Sequence, residues 1–297
     1  MDIEELLKEN KYEEALALLE NDNSLNSKLF KASILLNLGR NDEVISLLNG
    51  INTIESCVLI SRAYSNLKQI SKAIETLEKC TQRFPYSHSI YSELGKLYES
   101  QSDYETALRY INKALEIIPI SSDYKFLKAK ILYFQGNYED SSFLLGEILR
   151  LNPKNLEARI IRASCYYNLG LRMDALAEIN RALDQDNNNS LLHSLKGMIY
   201  YETGFYKLAL AEYKITIRNG GNSEDLYMAA LCSYLLNYYN DALVYIDNAL
   251  TKKTEPKYYA LKARIQKALG KLDEAKNLAK EVIAMDKSLT EIVRDLL

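Results

Sequence analysis

The feature that most constrains this chain is a period. In segment 88–121 a unit is marked out by Gly95, Tyr98, Tyr104, Ala107, Ala114 and Pro119. At a shift of 34 the same places hold Ala129, Leu132, Tyr138, Ser141, Ile148 and Pro153; at a shift of −34 they hold Ser61, Tyr64, Ile70, Ala73, Cys80 and Pro85. Further shifts give Ala163, Tyr166, Ala175 and Ala182, then Gly197, Tyr200, Tyr206 and Ala209, and after a one-residue deletion Ala230, Tyr239, Ala242 and Ala249. A period of this length means that one supersecondary unit is copied. The stacking of copies, not a single central core, then buries the apolar surface.

Each copy reads as two helices. SIYSELGKLYES repeats apolar residues at helical spacing, a Gly, Asn or Ser turn follows, and YETALRYINKALEI is a second amphipathic segment. Small residues fall where the two helices must approach: Gly95, Ala129, Ala163 and Gly197 on helix A, and Ala107, Ala175, Ala209, Ala242 and Ala275 on helix B. A larger side chain there would overpack the contact. Pro85, Pro119 and Pro153 sit at the end of helix B, where a missing N–H stops the helix. Only 11 Gly and 4 Pro in 297 residues is too few for the turns of an all-β fold. The expectation is an all-α chain, an α-solenoid of stacked antiparallel helix pairs.

A unit of this length with these small, aromatic, Ala and Pro places resembles the tetratricopeptide repeat. The resemblance covers a single array over 1–289: a partial first unit 1–24, then 25–53, 54–87, 88–121, 122–155, 156–189, 190–222, 223–255 and 256–289. The tail 290–297, TEIVRDLL, is amphipathic and is expected as a possible capping helix or as a segment that docks into another copy. The family's large residue near the start of helix A is replaced by Cys57, Tyr91, Lys125, Arg159 or His193. The resemblance implies a right-handed superhelix with helix A lining a concave face that takes peptides or extended partner segments.

Chemistry is scarce. His88 and His193 are the only histidines, both at the start of helix A, where a partly exposed residue without catalytic partners is expected. There is no GxGxxG, GK[ST], GxSxG or HExxH, and only the tail lies outside the repeats. The chain is therefore read as non-enzymatic, without cofactor or metal. Cys57, Cys80, Cys165 and Cys232 form no CxxC pair and read as buried free thiols of a reducing compartment. The acidic start MDIEELLKEN lacks the marks of a signal peptide, and no run of about 18 apolar residues occurs. A cytoplasmic address without membrane contact is expected.

The partner surface follows from the resemblance. If helix A presents places 2, 5, 9, 12 and 13 of each unit to the concave face, the N-terminal units offer a polar wall that includes Arg62, Ser65, Asn66 and Lys96. The middle units offer Phe126, Tyr133, Phe134, Ile160, Tyr167, Met198, Tyr201, Tyr227, Leu231 and Tyr234, with Lys130 beside them; the last offers Lys257, Arg264 and Lys267. Tyr98, Tyr166 and Tyr200, one residue earlier in the unit, are expected in the core. A strip of this length suggests a protein or peptide partner, because Tyr combines contact area with a hydroxyl for a ligand's backbone. The residues required for a two-carboxylate clamp on a chaperone's C-terminal tail are not in place. A net charge of −3 and a pI of about 5.7 argue against nucleic acid. Self-association, with a homo-oligomer as its product, is the alternative; single-stranded RNA along Arg62, Lys96 and Lys130 is the more remote one.

Overall fold

The computed structural model describes residues 3–19 and 22–297; Met1, Asp2, Glu20 and Asn21, which belong to the expected partial first unit, lie outside the described residues. Among the described residues there is no strand. The helices come in pairs: α1 (Ile3–Lys8) with α2 (Tyr12–Leu19), α3 (Leu25–Asn37) with α4 (Asn41–Leu48), α5 (Ile54–Asn66) with α6 (Ile70–Arg83), α7 (His88–Ser100) with α8 (Tyr104–Ile117), and α9 (Ser122–Phe134) with α10 (Tyr138–Leu151). They continue as α11 (Leu156–Asn168) with α12 (Arg172–Leu183), α13 (Ser190–Glu202) with α14 (Tyr206–Arg218), α15 (Ser223–Leu235) with α16 (Tyr239–Lys252), and α17 (Pro256–Ala268) with α18 (Leu272–Met285). The tail forms α19 (Thr290–Val293) between two short 3-10 turns. The chain divides into two compact units, residues 1–148 and 149–297. Each is an α-solenoid of antiparallel pairs.

Local chemistry sets the helix lengths. Every A helix from α3 to α17 spans 13 residues. Each starts on a side-chain cap, with Ser24, Thr53, Ser87, Ser121, Asn155, Asn189 and Asn222 accepting a backbone N–H of the first turn; α17 starts on Pro256 instead. Each A helix also stops in the same way. The residue after the cap turns left-handed, at Gly39, Lys68, Ser102, Gly136, Gly170, Gly204, Asn237 and Gly270, with φ between 61° and 81°. The next backbone N–H then reaches back to the last turn, as from Asn137 to Leu132 O and from Phe205 to Tyr200 O, at 2.9 and 2.8 Å. That is the Schellman closure, and it tucks helix B against helix A after three residues.

The small residues of the pattern are where the paired helices touch. Ser61 is 1 % exposed, and Ala129, Ala163 and Ala230 have no exposed surface. A Cβ on Gly95 would stand 2.4 Å from Ile111 Cδ1, and one on Gly197 would stand 3.1 Å from the ring of Tyr213. Tyr213 is 1 % exposed and Tyr258 fully buried, so the largest buried side chains belong to these two tyrosines and not to the paired tyrosines of helix A.

The fourth place of the unit, where the resemblance fails, ties helix A to helix B in five copies, by a disulfide, by a ring stack or by a pair with a helix-B glutamate. Cys57 forms a disulfide with Cys80, their Cα atoms 6.5 Å apart. Tyr91 lies parallel to Tyr110 and donates its hydroxyl to Pro85 O at 2.8 Å. Lys125 pairs with Glu147 at 3.0 Å. Arg159 pairs with Glu178 at 2.8 Å and donates to Pro153 O; His193 holds Glu212 at 2.6 Å and Asn187 O at 3.0 Å. Two expectations are thereby corrected. His193 is 7 % exposed, a buried brace, and not a partly exposed helix-start residue. Cys57 and Cys80 are not free thiols, because a helical hairpin brings residues 23 apart into contact. Cys165 and Cys232 are buried and form no disulfide, and burial pushes the Cys232 thiol up to about 12.

Candidate partner-binding surface

In the first unit, α3, α5 and α7 lie side by side, as do α7 and α9. Their shared face forms a cleft lined by Ser61, Arg62, Ser65, Asn66, Glu93, Lys96 and Ser100, so the expected polar wall is brought together in one place. Its cations are shared with acids. Arg62 and Lys96 both bind Glu93, Lys96 at 3.0 Å, and Lys130 lies 3.6 Å from Glu99. Burial works against ionisation of Glu93, but these two partners outweigh it and hold its carboxyl below the ordinary range. The cleft therefore carries one positive charge in excess, over a floor of hydroxyls and an amide. Phe126 and Tyr133 are half-buried and Phe134 is 51 % exposed.

In the second unit, the paired tyrosines do not divide into core and face. Tyr166 and Tyr167 are both half-buried against the cluster of Ala163, Ala175 and Ile179, and Tyr200 and Tyr201 both pack on the cluster around Tyr213. Tyr98, in the first unit, is half-buried as well and stacks on Tyr110 at 5.6 Å. The physical reason is that a phenol buries its ring while leaving its hydroxyl at the surface. The Schellman turn adds a second reason. It places the first residue of helix B against the end of helix A, where Tyr133 meets Tyr138, Tyr201 meets Tyr206 and Tyr234 meets Tyr239 at 5.6–5.8 Å between ring centres. Sequence reasoning missed this clasp, although the five-residue spacing is repeated three times.

Tyr167 takes a different partner. Its hydroxyl donates to Glu202 Oε1 at 2.5 Å, and Arg172 holds the other oxygen at 2.8 Å. Burial first, and then the Glu202 hydrogen bond, push the phenol up to about 12. Among the described residues the hydroxyls of Tyr201 and Tyr234 have no hydrogen-bond partner. Met198 is half-buried on the same helix as Tyr201.

At the end of the second unit, Tyr227, Leu231, Lys257, Ala260, Leu261 and Arg264 line a cleft whose far wall is Leu289 and Ile292 of the tail. Tyr227 stacks on Tyr258 at 5.1 Å, with Lys257 over both rings. The basic trio is engaged from within the chain. Lys257 binds Glu224 at 2.7 Å, Arg264 donates to Ile292 O at 2.8 Å, and Lys267 binds Asp295 at 2.8 Å. Val293 and Leu296 complete a buried cluster with Ala260, Ala263, Ala279 and Val282. Among the described residues no group of three His, Cys, Asp or Glu side chains could hold a metal ion, and no helix is long and apolar enough to cross a membrane. The cytoplasmic expectation loses its cysteine argument to the Cys57–Cys80 bond.

Comparison with known proteins agrees with this architecture. Two family profiles, each described as a tetratricopeptide repeat, match residues 132–199 and residues 54–86, 88–120 and 256–289. No curated protein matches by sequence. A tetratricopeptide repeat protein from Parabacteroides merdae is 17 % identical with a TM-score of 0.61, over 86 % of this chain and 98 % of that one. The anaphase-promoting-complex hetero-tetramer Cut9-Hcn1 matches at 15 % identity and 0.60, over 97 % of this chain and 59 % of the other. YrrB, described as having an unusual peptide-binding site, matches at 18 % and 0.50, over 61 % and 92 %. At these identities the likeness concerns the fold. With the profiles covering more than half of its length and the paired-helix repeat seen in its structure, the chain belongs to the tetratricopeptide repeat family.

Proposed function

We propose that this chain is a non-catalytic protein-interaction scaffold whose A-helix face holds an extended or helical segment of another protein, with Tyr201 and Tyr234 as its main contacts. The observation that carries the proposal is the pair of anchored rings with unpartnered hydroxyls, one repeat apart on α13 and α15. Each ring is already ordered by its clasp tyrosine, so binding immobilises little, and each hydroxyl is ready for a backbone amide or carbonyl of the ligand. Tetratricopeptide repeats generally act as scaffolds of this kind, and the similar YrrB is described with a peptide-binding site. Met198 and Tyr227 extend the contact, and the cleft at Arg62 and Lys96 offers a second, polar contact to the same class of ligand.

The test is capture of partners by wild-type protein and by a Tyr201→Phe/Tyr234→Phe variant, which keeps both rings and removes both hydroxyls. Recovery of the specific partner should fall about tenfold, the loss expected for two hydrogen bonds of about 0.7 kcal/mol each. Equal recovery with an unchanged melting curve would overturn the assignment of these hydroxyls.

A further inference from the structure

We propose that the Cys57–Cys80 disulfide is a thiol-exchange site that takes a small anionic thiol at Cys80. Three observations meet there. The bond opens onto a cleft formed by Asn52, Lys79, Arg83 and Phe84 together with both cysteines. The two sulfurs are unequally placed: Cys57 is 5 % exposed within the core of α5 and α6, whereas Cys80 is only partly buried. The rim is cationic. Lys79 shares its charge with Glu75 at 2.6 Å, but Arg83 forms no ion pair among the described residues. A disulfide that serves structure alone has no need of an open approach with an uncompensated guanidinium beside it.

The geometry also gives the direction of the step. A thiolate attacks the accessible Cys80 sulfur, a new S–S bond forms to Cys80, and the old bond breaks with its electron pair on Cys57. Cys57 leaves as a thiolate in the first turn of α5, where the positive end of the helix favours an anion, and it then takes up a proton from solvent. This exchange has no net gain or loss of electrons: one disulfide is replaced by another, and one thiolate by another. A second equivalent of the same thiol would release Cys80 as a thiol and carry the disulfide away. The proposal stands apart from partner binding, because the product is a covalent adduct of this chain.

The probes are reduced glutathione and its diethyl ester, in which esterification removes both carboxylate charges and leaves the attacking thiolate form without net charge. Each is incubated with the full-length protein in native buffer at equal thiolate concentration. Acid quench, intact mass and peptide mapping follow. The expected result is one added glutathione on Cys80, formed about tenfold faster than the ester adduct, the ratio that a two-unit change of ligand charge gives near one exposed cation. Arg83→Gln should remove that ratio while leaving the ester rate unchanged, and so should raised salt. Adduct on Cys57, equal rates for the two thiols, or exchange that requires denaturant would each overturn the proposal, the last identifying a purely structural disulfide.

Discussion

Adding one methyl group at Gly95 tests whether the repeat's small positions are dictated by contact. The new Cβ would stand 2.4 Å from Ile111 Cδ1 and 2.6 Å from its Cγ1, more than 1 Å inside normal carbon contact. Ile111 is fully buried in the face shared by α7 and α8, so its Cγ1 cannot move aside without disturbing Leu127 and Ile131. Overpacking of this kind costs about 1–3 kcal/mol, against about 1 kcal/mol gained from replacing a helical glycine. Gly95→Ala should therefore lower stability by about 1 kcal/mol, although propensity alone predicts a gain. Ile111→Ala, which opens a cavity, should cost about 3 kcal/mol. In that background the Gly95 methyl enters vacated space, and the same substitution should stabilise by up to about 1 kcal/mol. The coupling is then roughly 2 kcal/mol, read from urea unfolding of the four proteins, with hydrogen exchange of the α7 amides as the local measure. Additive effects, or a stabilising Gly95→Ala in the wild-type background, would refute the contact argument.

Other outcomes follow from single features. Ser102 holds φ at 61° where Gly136 and Gly170 stand in later copies, so Ser102→Gly should raise stability by about 0.5–1 kcal/mol in chemical denaturation. Glu178 is 3 % exposed and binds Arg159, Arg162 and Arg181; Glu178→Gln should cost about 3 kcal/mol by leaving Arg159 buried without a carboxylate. The Tyr167 phenol is raised by burial and by Glu202, so its contribution is complete below the ordinary tyrosine value and is lost as pH rises from about 10 to about 12. A difference titration of wild type against Tyr167→Phe should show one phenol ionising in that range, and an ordinary midpoint would contradict the Glu202 bond.

Much of the fold is legible because it depends on local chemistry. Ala129, Ala163 and Gly197 recur at one spacing since the same helix contact recurs, and Pro85 and Pro119 stop helix B without help from tertiary structure. The non-local bonds are harder to read. No spacing rule pairs Cys57 with Cys80 or Lys125 with Glu147, because these contacts cross a hairpin and their separation changes from copy to copy. The 19-residue step from Arg159 to Glu178 does recur from His193 to Glu212, but it stands out only once the hairpin is known. The tyrosine pairs show a different limit. Periodicity places Tyr200 and Tyr201 on adjacent faces, but a ring long enough to reach the core from either face leaves both half-buried. What separates them is the clasp with Tyr206, which depends on the turn geometry. In the same way Arg264 and Lys267 read as part of the concave face: the amphipathic tail is legible as a candidate cap, but the sequence does not reveal that its Ile292 carbonyl and Asp295 meet these two side chains.

The central claim is that a partner lies on the A-helix face. Its most direct test is a photo-cross-linking amino acid placed at Met198, on α13 beside Tyr201, and in a parallel variant at Leu208, which is 49 % exposed on α14. The account predicts that Met198 captures a segment of one partner protein, that Leu208 captures none of it, and that Tyr201→Phe weakens the Met198 product. Capture from Leu208 with none from Met198 would contradict it.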